Sequence, residues 1–297
     1  MYPQPQVFRS GDRLLAVEDA GPATGLPVLV HNGDGSRHIF PPAAREAAQA
    51  GFRLISYDRP GCGLSTAVPG RTIADCAQDL QVIIDRLGIS RAAAWGSSGG
   101  GPYALASAAL LPGVFTAVCL FAPIGPYGAA GLDFTAGMGW ADEAREQIDL
   151  FFSDPARAQA EFLAAVPDQL ARQSDSRWWL ERWGARALQD AAHSQEWADH
   201  LAACATDSSG GGWWDDWTAV LRPWGFGLSA VEAPVALWQG SRDEAVPAAH
   251  ARWIAATLPR AELHLAADED HTNVEENNRS HALAWLGEVA RGPNNSR

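Results

Sequence analysis

The sequence predicts an α/β protein, with a mostly parallel, doubly wound sheet of eight strands and a helical module inserted into it. Residues 1–123 and 230–297 alternate short apolar runs with amphipathic stretches of helical period, as a parallel sheet with crossover helices requires. Residues 124–229 contain helical patterns and a Ser/Gly-rich stretch but no strand-like runs. The chain therefore divides into a core domain in two pieces and one helical insertion.

Eight short segments have the apolar character of strands. The first two flank a Ser-Gly-Asp-Arg sequence that is typical of a hairpin turn. The predicted strands are residues 7–9, 14–18, 28–30, 52–57, 92–95, 114–121, 235–238 and 261–265.

Helical periodicity fills most of the gaps between these strands. The strongest helix opens at Thr72, because Asp75 follows at capping-box spacing and Gly88 ends the apolar stripe. The predicted helices are residues 42–50, 72–87, 100–111, 248–257 and 280–290 in the core, and residues 143–152 and 155–166 in the insertion.

The charged residues exclude several kinds of function. All 22 basic residues are arginine, and without lysine the chain has no Schiff-base amine and no phosphate-binding Gly-Lys-Ser/Thr loop. With 35 acidic residues the net charge is −13, which disfavours nucleic acid and an anionic membrane surface as partners. We therefore expect a small-molecule substrate, while the oligomeric state, monomer or dimer, stays open.

The location expected from the sequence is the cytoplasm. The first ten residues are polar and do not resemble a signal peptide, and no apolar run is long enough to span a bilayer. The four cysteines are widely spaced, and the histidines show no metal-ligand spacing. We expect neither a metal nor a cofactor.

The sharpest local motif is Gly-x-Ser-x-Gly centred on Ser98. It lies between a predicted strand and a predicted helix, which is the context that a nucleophile elbow needs. The small residues at Gly96 and Gly100 allow the backbone to turn tightly, and the turn lifts the serine hydroxyl out of the sheet.

Two further polar residues follow strands later in the chain. Asp243 comes after the strand at 235–238, and His271 comes after the strand at 261–265. The order Ser98, Asp243, His271 is the chain order expected for a hydrolytic triad on such a sheet. Open α/β sheets bind ligands at the carboxyl ends of their strands, where all three residues are placed.

With these motifs the chain resembles the α/β-hydrolase superfamily, in its cap-bearing, serine esterase-like branch. His31–Ser36, His-Asn-Gly-Asp-Gly-Ser, is similar to the family's oxyanion loop, and Tyr57–Ser65 is similar to its Asp-x-Pro-Gly-x-Gly-x-Ser segment. The resemblance implies that residues 124–229 form a helical cap over the site. It also implies a structural loop role for His31, while Asp58 suits a turn on local grounds.

The resemblance assigns the chemistry residue by residue. Ser98 is then the nucleophile, His271 its general base and Asp243 the group that orients the imidazole. The backbone N–H groups of Gly33 and Gly99 are the implied oxyanion hole.

The chain departs from the family pattern at three positions. Asn32 and Asp34 replace a glycine and a proline of the oxyanion loop, and Asp270 precedes the histidine where glycine is usual. A carboxylate beside a developing oxyanion opposes it unless it points away. Asp270 either raises the pKa of His271 or faces solvent.

Tryptophan marks the insertion. Nine of the thirteen tryptophans lie within residues 124–229, and we expect about half of them in the core of the cap and the rest around an apolar or aromatic substrate. The candidate substrate contacts are Asn32, Trp140, Trp179 and Trp214.

The predicted activity is hydrolysis of a carboxylic ester, lactone or related acyl compound without a cofactor. A proline iminopeptidase-like activity stays open, with an amine bound by acidic cap residues. A carbon–carbon bond hydrolase or lyase using the same serine and histidine, and a catalytically silent binding protein, are further alternatives. The acidic cap residues that could bind an amine are Asp142, Glu143, Asp215 and Asp216.

Overall fold

The computed structural model describes residues 4–173, 191–207 and 210–291. Its centre is one sheet with the strand order β1-β2-β4-β3-β5-β6-β7-β8. The first two pairings, β1 with β2 and β2 with β4, are antiparallel, and the others are parallel. This confirms the predicted sheet, whose strands are Gln6–Ser10 (β1), Arg13–Ala20 (β2), Leu26–His31 (β3), Phe52–Tyr57 (β4), Ala92–Ser97 (β5), Phe115–Phe121 (β6), Val235–Gly240 (β7) and Ala261–Ala266 (β8).

Helices cover both faces of the sheet, and further helices lie between β6 and β7. The first three are Pro41–Gln49 (α1), Cys76–Leu87 (α2) and Gly101–Leu110 (α3). The described part of the insertion contains Ala141–Ser153 (α4), Pro155–Gln173 (α5), Ala191–Asp207 (α6) and Gly210–Leu221 (α7). Ala248–Thr257 (α8) and Asn273–Arg291 (α9) complete the described chain, while the division at residues 124 and 229 stays a prediction.

The core has two apolar layers because successive residues of a buried strand point to opposite faces. On one face, side chains such as Leu29 and Leu237 pack with α2, α3, α8 and residues of the insertion. On the other face, side chains such as Val28 and Ala236 pack with α1 and α9. Packing on both faces holds the sheet in place and so fixes the relative positions of the carboxyl ends of β5, β7 and β8.

Two helix starts differ from the sequence prediction by four residues or more. Helix α2 begins at Cys76, because the Asp75 carboxylate accepts hydrogen bonds from the N–H and hydroxyl of Thr72 and closes a turn before the helix. Helix α9 begins at Asn273, seven residues before position 280. Its first turns carry Glu, Asn and Arg without an apolar stripe, so periodicity does not reveal them.

Within the described residues, we find no helix that combines the length and the apolar character needed to cross a bilayer.

Candidate active site

Ser98 occupies a tight turn between β5 and α3. Its φ angle is 53°, in the left-handed region that costs a non-glycine residue conformational energy. A Cβ on Gly96 would lie 2.8 Å from Ala104 Cβ, and one on Gly100 would lie 1.8 Å from the carbonyl oxygen of His31. Glycine is therefore required at both motif positions, and the turn presents the Ser98 hydroxyl at the sheet edge.

His271 and Asp243 meet Ser98 at this edge, although they lie far from it in sequence. His271 Nε2 is 3.0 Å from Ser98 Oγ, and His271 Nδ1 is 2.8 Å from Asp243 Oδ2. The fully buried Asp243 carboxylate also accepts hydrogen bonds from the N–H groups of Ala245 and Val246, which fix its direction. The geometry suits proton transfer from the serine to an oriented imidazole.

The charge state of His271 depends on two carboxylates. Burial lowers the pKa of His271, but the charge and hydrogen bond of Asp243 and the charge of Asp270 raise it, and the net shift is upward from 6.5. Asp270 is buried, and its Oδ1 accepts hydrogen bonds from the N–H groups of Thr272 and Asn273 at the start of α9. Asp270 thus caps a helix and favours the charged imidazole, and it does not face solvent.

Replacing Asp270 with asparagine tests this electrostatic role. Asparagine keeps an oxygen that can cap α9 but removes the negative charge, so the pKa of His271 falls. A general base must be neutral, so the acidic limb of the pH profile of kcat/KM should move to lower pH. An acidic limb that does not move in Asp270→Asn would contradict the role.

The predicted oxyanion loop approaches the serine closely. A Cβ on Gly33 would lie 3.1 Å from Ser98 Cβ, and a Cβ on Gly99 would lie 3.1 Å from the Gly33 carbonyl oxygen. The loop holds its shape through Asn32, whose Nδ2 donates to the carbonyl oxygens of Ser36 and His38 at 2.9 Å. Gly33 and Gly99 therefore lie beside Ser98, and their role as an oxyanion hole stays a prediction.

Asp34 also bonds within this loop. Its Oδ1 accepts hydrogen bonds from the N–H and hydroxyl of Ser36, at 3.0 and 3.1 Å. The carboxylate is thus held by its own loop, which gives the departure from the family proline a structural role.

Two residues support the predicted oxyanion loop: an arginine that the sequence analysis did not assign to the site, and a carboxylate that it named only as a candidate for binding an amine. Arg59 Nη1 and Nη2 donate to the carbonyl oxygens of Asn32 and Gly33, at 2.6 and 3.2 Å. Arg59 Nε donates to Asp216 of α7 at 2.9 Å. Burial alone would raise the pKa of Asp216, but the charges of Arg59 and Arg71 hold it below the usual value. A residue of the insertion is thereby connected to the oxyanion loop.

His31 and Asp58 have structural surroundings. His31 Nε2 is 3.0 Å from Ser107 Oγ, and burial together with the charge of Arg59 lowers the pKa of His31 to about 3. Asp58 accepts hydrogen bonds from Arg37 and from the Leu64 N–H, so it joins two loops and also forms a buried ion pair. A neutral His31 suits an architectural role.

A family model described as alpha/beta hydrolase fold matches residues 27–278. The chain belongs to the α/β-hydrolase fold family. This match covers most of the chain and includes Ser98, Asp243 and His271.

Individual relatives of this α/β-hydrolase are distant. A zearalenone hydrolase of Cladophialophora bantiana is 31% identical over 94 residues, which are 30% of this chain and 34% of that protein. The chain spans between 34% and 45% of the length of the curated relatives that it matches.

Solved structures match nearly the whole length of this hydrolase. An enol-lactonase from Burkholderia xenovorans is 18% identical, with a TM-score of 0.68 over 95% of this chain and 100% of that one. An esterase from Thermogutta terrifontis is 19% identical, with a TM-score of 0.65 over 98% of this chain and 99% of that one. At such identities the likeness is one of fold.

A cavity of about 1040 Å³ lies over Ser98 in this α/β-hydrolase. Asn32, Trp140 and Trp214 line it, as do Trp197, Trp213 and Trp217, while Trp179 lies outside the described residues. Trp214 is also buried against Phe151 and Phe162, and Trp140 Nε1 donates to the carbonyl oxygen of Ala245 at 3.3 Å. The tryptophans thus contribute both to packing and to the cavity wall.

Proposed function

We propose that this α/β-hydrolase cleaves a carboxylic ester, lactone or related acyl bond of a small, apolar or aromatic molecule through an acyl-enzyme. The observation that carries the proposal is the continuous hydrogen-bonded chain from Ser98 through His271 to Asp243. Serine gains nucleophilicity when a histidine takes its proton and a buried carboxylate orients that histidine. No step of this chemistry needs a cofactor.

The mechanism follows from the distances. Ser98 Oγ attacks the acyl carbon while its proton passes to His271 Nε2, and Asp243 stabilises the imidazolium. The carbonyl oxygen becomes negative beside the N–H groups of Gly33 and Gly99, each such donor contributing roughly 3 kcal/mol to the transition state. The tetrahedral intermediate collapses as His271 protonates the leaving-group oxygen, which departs as the alcohol. Water, deprotonated by His271, then releases the acid and restores Ser98.

The charge of the cavity lining acts against an anionic substrate. Apart from the paired Arg59 and Asp216, its lining carries more carboxylates than guanidinium groups, so it disfavours anions. The same field favours departure of the acid that hydrolysis forms. The carboxylates on the lining are Asp34, Glu143, Glu161, Asp168, Glu275 and Glu276, and the guanidinium groups are Arg172 and Arg279.

The names of similar proteins are consistent with this chemistry. Among them are an enol-lactonase, an esterase and a zearalenone hydrolase. We therefore place ester and lactone bonds ahead of the other acyl compounds.

Peptide amine recognition receives less support from the surroundings of the acidic cap residues. Asp216 is held by two arginines, Asp215 accepts a hydrogen bond from the Gly70 N–H, and Asp142 pairs with Arg145. Three of the four carboxylates already have partners, and the fourth, Glu143, lines the cavity, so an amine-binding site would have to use Glu143.

A serine-directed fluorophosphonate tests the proposal. We expect one label per chain, located by peptide mass spectrometry on Ser98 and absent from Ser98→Ala, together with turnover of 4-nitrophenyl acetate. The control is Ser153→Ala, at the exposed end of α4, which should be labelled normally. A label on any other serine, or none, would refute a Ser98 acyl-enzyme.

A further inference from the structure

The active-site cavity reaches into both apolar layers of the molecule. Above the sheet edge it is lined by residues of the insertion such as Trp214 and Phe162. It is also lined by residues of the layer between the sheet and helices α1 and α9. We call this second part the inner chamber and define it by Ala43, Ala47, Leu54, Trp95 and Leu283.

The inner chamber lies below the level of the nucleophile. Leu54 is three residues from Tyr57, the end of β4, and at roughly 3.3 Å per residue this places it about 10 Å below the sheet edge. Trp95 likewise precedes Ser98 by three residues. Both side chains line the cavity although only 4% of each is exposed, so the chamber is a narrow interior extension of the catalytic cavity.

The walls of the inner chamber are apolar. Ala43 and Ala47 lie one turn apart on α1, and both line the chamber together with Leu283 of α9. The Trp95 ring packs on Phe121, another lining residue, at a centroid distance of 4.8 Å. Such a space binds hydrocarbon, since transfer of each methylene from water into apolar surroundings is favourable.

Charged groups at the side of the chamber already have partners. Arg279 Nη1 donates to Glu46 Oε1 at 3.1 Å, and the Arg279 guanidinium lies 5.9 Å from the Phe40 ring. At the entrance, beside the nucleophile, the Ser97 hydroxyl donates to the Glu275 carboxylate. An anionic group entering here would meet Glu275, whereas an uncharged chain would pass it.

We propose that the inner chamber binds an unbranched aliphatic chain of the substrate, and that Ala47 sets the chain length accepted. The proposal rests on the proposed function, because the chain must belong to the ester attacked by Ser98. The acyl and the alcohol part of an ester can both supply such a chain.

Filling the chamber with Ala47→Leu separates chain binding from chemistry. The ratio of kcat/KM for 4-nitrophenyl octanoate to that for the acetate should fall about tenfold or more, because leucine displaces two or more methylenes of the chain and each is worth about fourfold. A parallel comparison of octyl with ethyl acetate shows whether the alcohol supplies the chain. If Ala47→Leu reduces chain-length selectivity in either series, the proposal is supported. If selectivity is unchanged in both series, the proposal is overturned.

Two further variants control for packing damage. Leu283→Ala enlarges the chamber and should shift the preference toward longer chains, the opposite direction from Ala47→Leu. Ala48→Leu adds the same volume to α1 at a half-buried position outside the cavity lining and should leave the selectivity unchanged. Equal losses on short and long esters in both chamber variants would show a packing effect alone and would contradict the proposal.

Binding of 1-octanol measures the chamber without turnover. Calorimetric titration should show that Ala47→Leu binds this alcohol about tenfold more weakly than the unchanged protein and Ala48→Leu do. If no ester is cleaved but Ala47→Leu still binds octanol more weakly, the proposed function is wrong and the chamber is confirmed as a binding site for an aliphatic chain. If all three proteins bind octanol with equal affinity, the proposal that the chamber binds an aliphatic chain is overturned.

Discussion

Ser98→Ala should lower kcat/KM for 4-nitrophenyl acetate by a factor on the order of 10⁴–10⁶. The variant removes the only atom that would attack the acyl carbon and keeps the Gly33 and Gly99 N–H groups, so a small residual rate remains. The methyl group of alanine fits where the serine Cβ lies. Thermal unfolding followed by circular dichroism should therefore show a folded protein with little change in Tm.

Comparison of single and double variants makes this prediction sharper. Since Ser98 and His271 act as a unit, Ser98→Ala/His271→Ala should lose no more activity than Ser98→Ala alone. Asp243→Asn should cost about 10⁴-fold, because it favours the wrong imidazole tautomer. Additive losses, or nearly full activity in Ser98→Ala, would rule out the hydrogen-bonded chain as a catalytic unit.

The catalytic candidates were predictable because local rules place them. Gly96-x-Ser98-x-Gly100 encodes the steric demands of one turn, and Asp243 and His271 follow strands that end at one sheet edge. Strand periodicity likewise predicted the eight strands, since each is short and bounded by turn residues and most are apolar.

The supporting contacts were not predictable because they join distant parts of the chain. Arg59 and Asp216 are 157 positions apart, and Ser97 and Glu275 are 178 apart. No spacing rule connects such pairs. The sequence showed acidic residues in the insertion and suggested an amine site, whereas the fold places Asp216 against two arginines.

The inner chamber is also a feature that the sequence could not predict. Ala43 and Ala47 appear in sequence as two of several alanines on an amphipathic helix, and the apolar face of α1 predicts packing only. The space beside them depends on how α1 and α9 approach the sheet, which periodicity does not determine.

Arg59→Gln should lower kcat about 10²-fold while changing KM much less. The shorter, neutral side chain cannot hold the carbonyl oxygens of Asn32 and Gly33 together with Asp216, so the Gly33 N–H shifts from the position where the oxyanion forms. The free energy of unfolding should also fall, by about 3 kcal/mol, because a buried carboxylate loses one of its ionic partners. Steady-state kinetics and urea unfolding measure the two effects.

Arg71→Gln is the matched control that separates stability from catalysis. Arg71 pairs with the same Asp216 carboxylate at 2.7 Å and also donates to the Gly212 carbonyl oxygen, within α7. Its loss should reduce the free energy of unfolding by a similar amount yet leave kcat within a few-fold of the unchanged protein. If the two variants lose kcat equally, Arg59 acts through general stability. A selective loss in Arg59→Gln means that a carboxylate of the insertion, through one arginine, holds the oxyanion loop in its catalytic position.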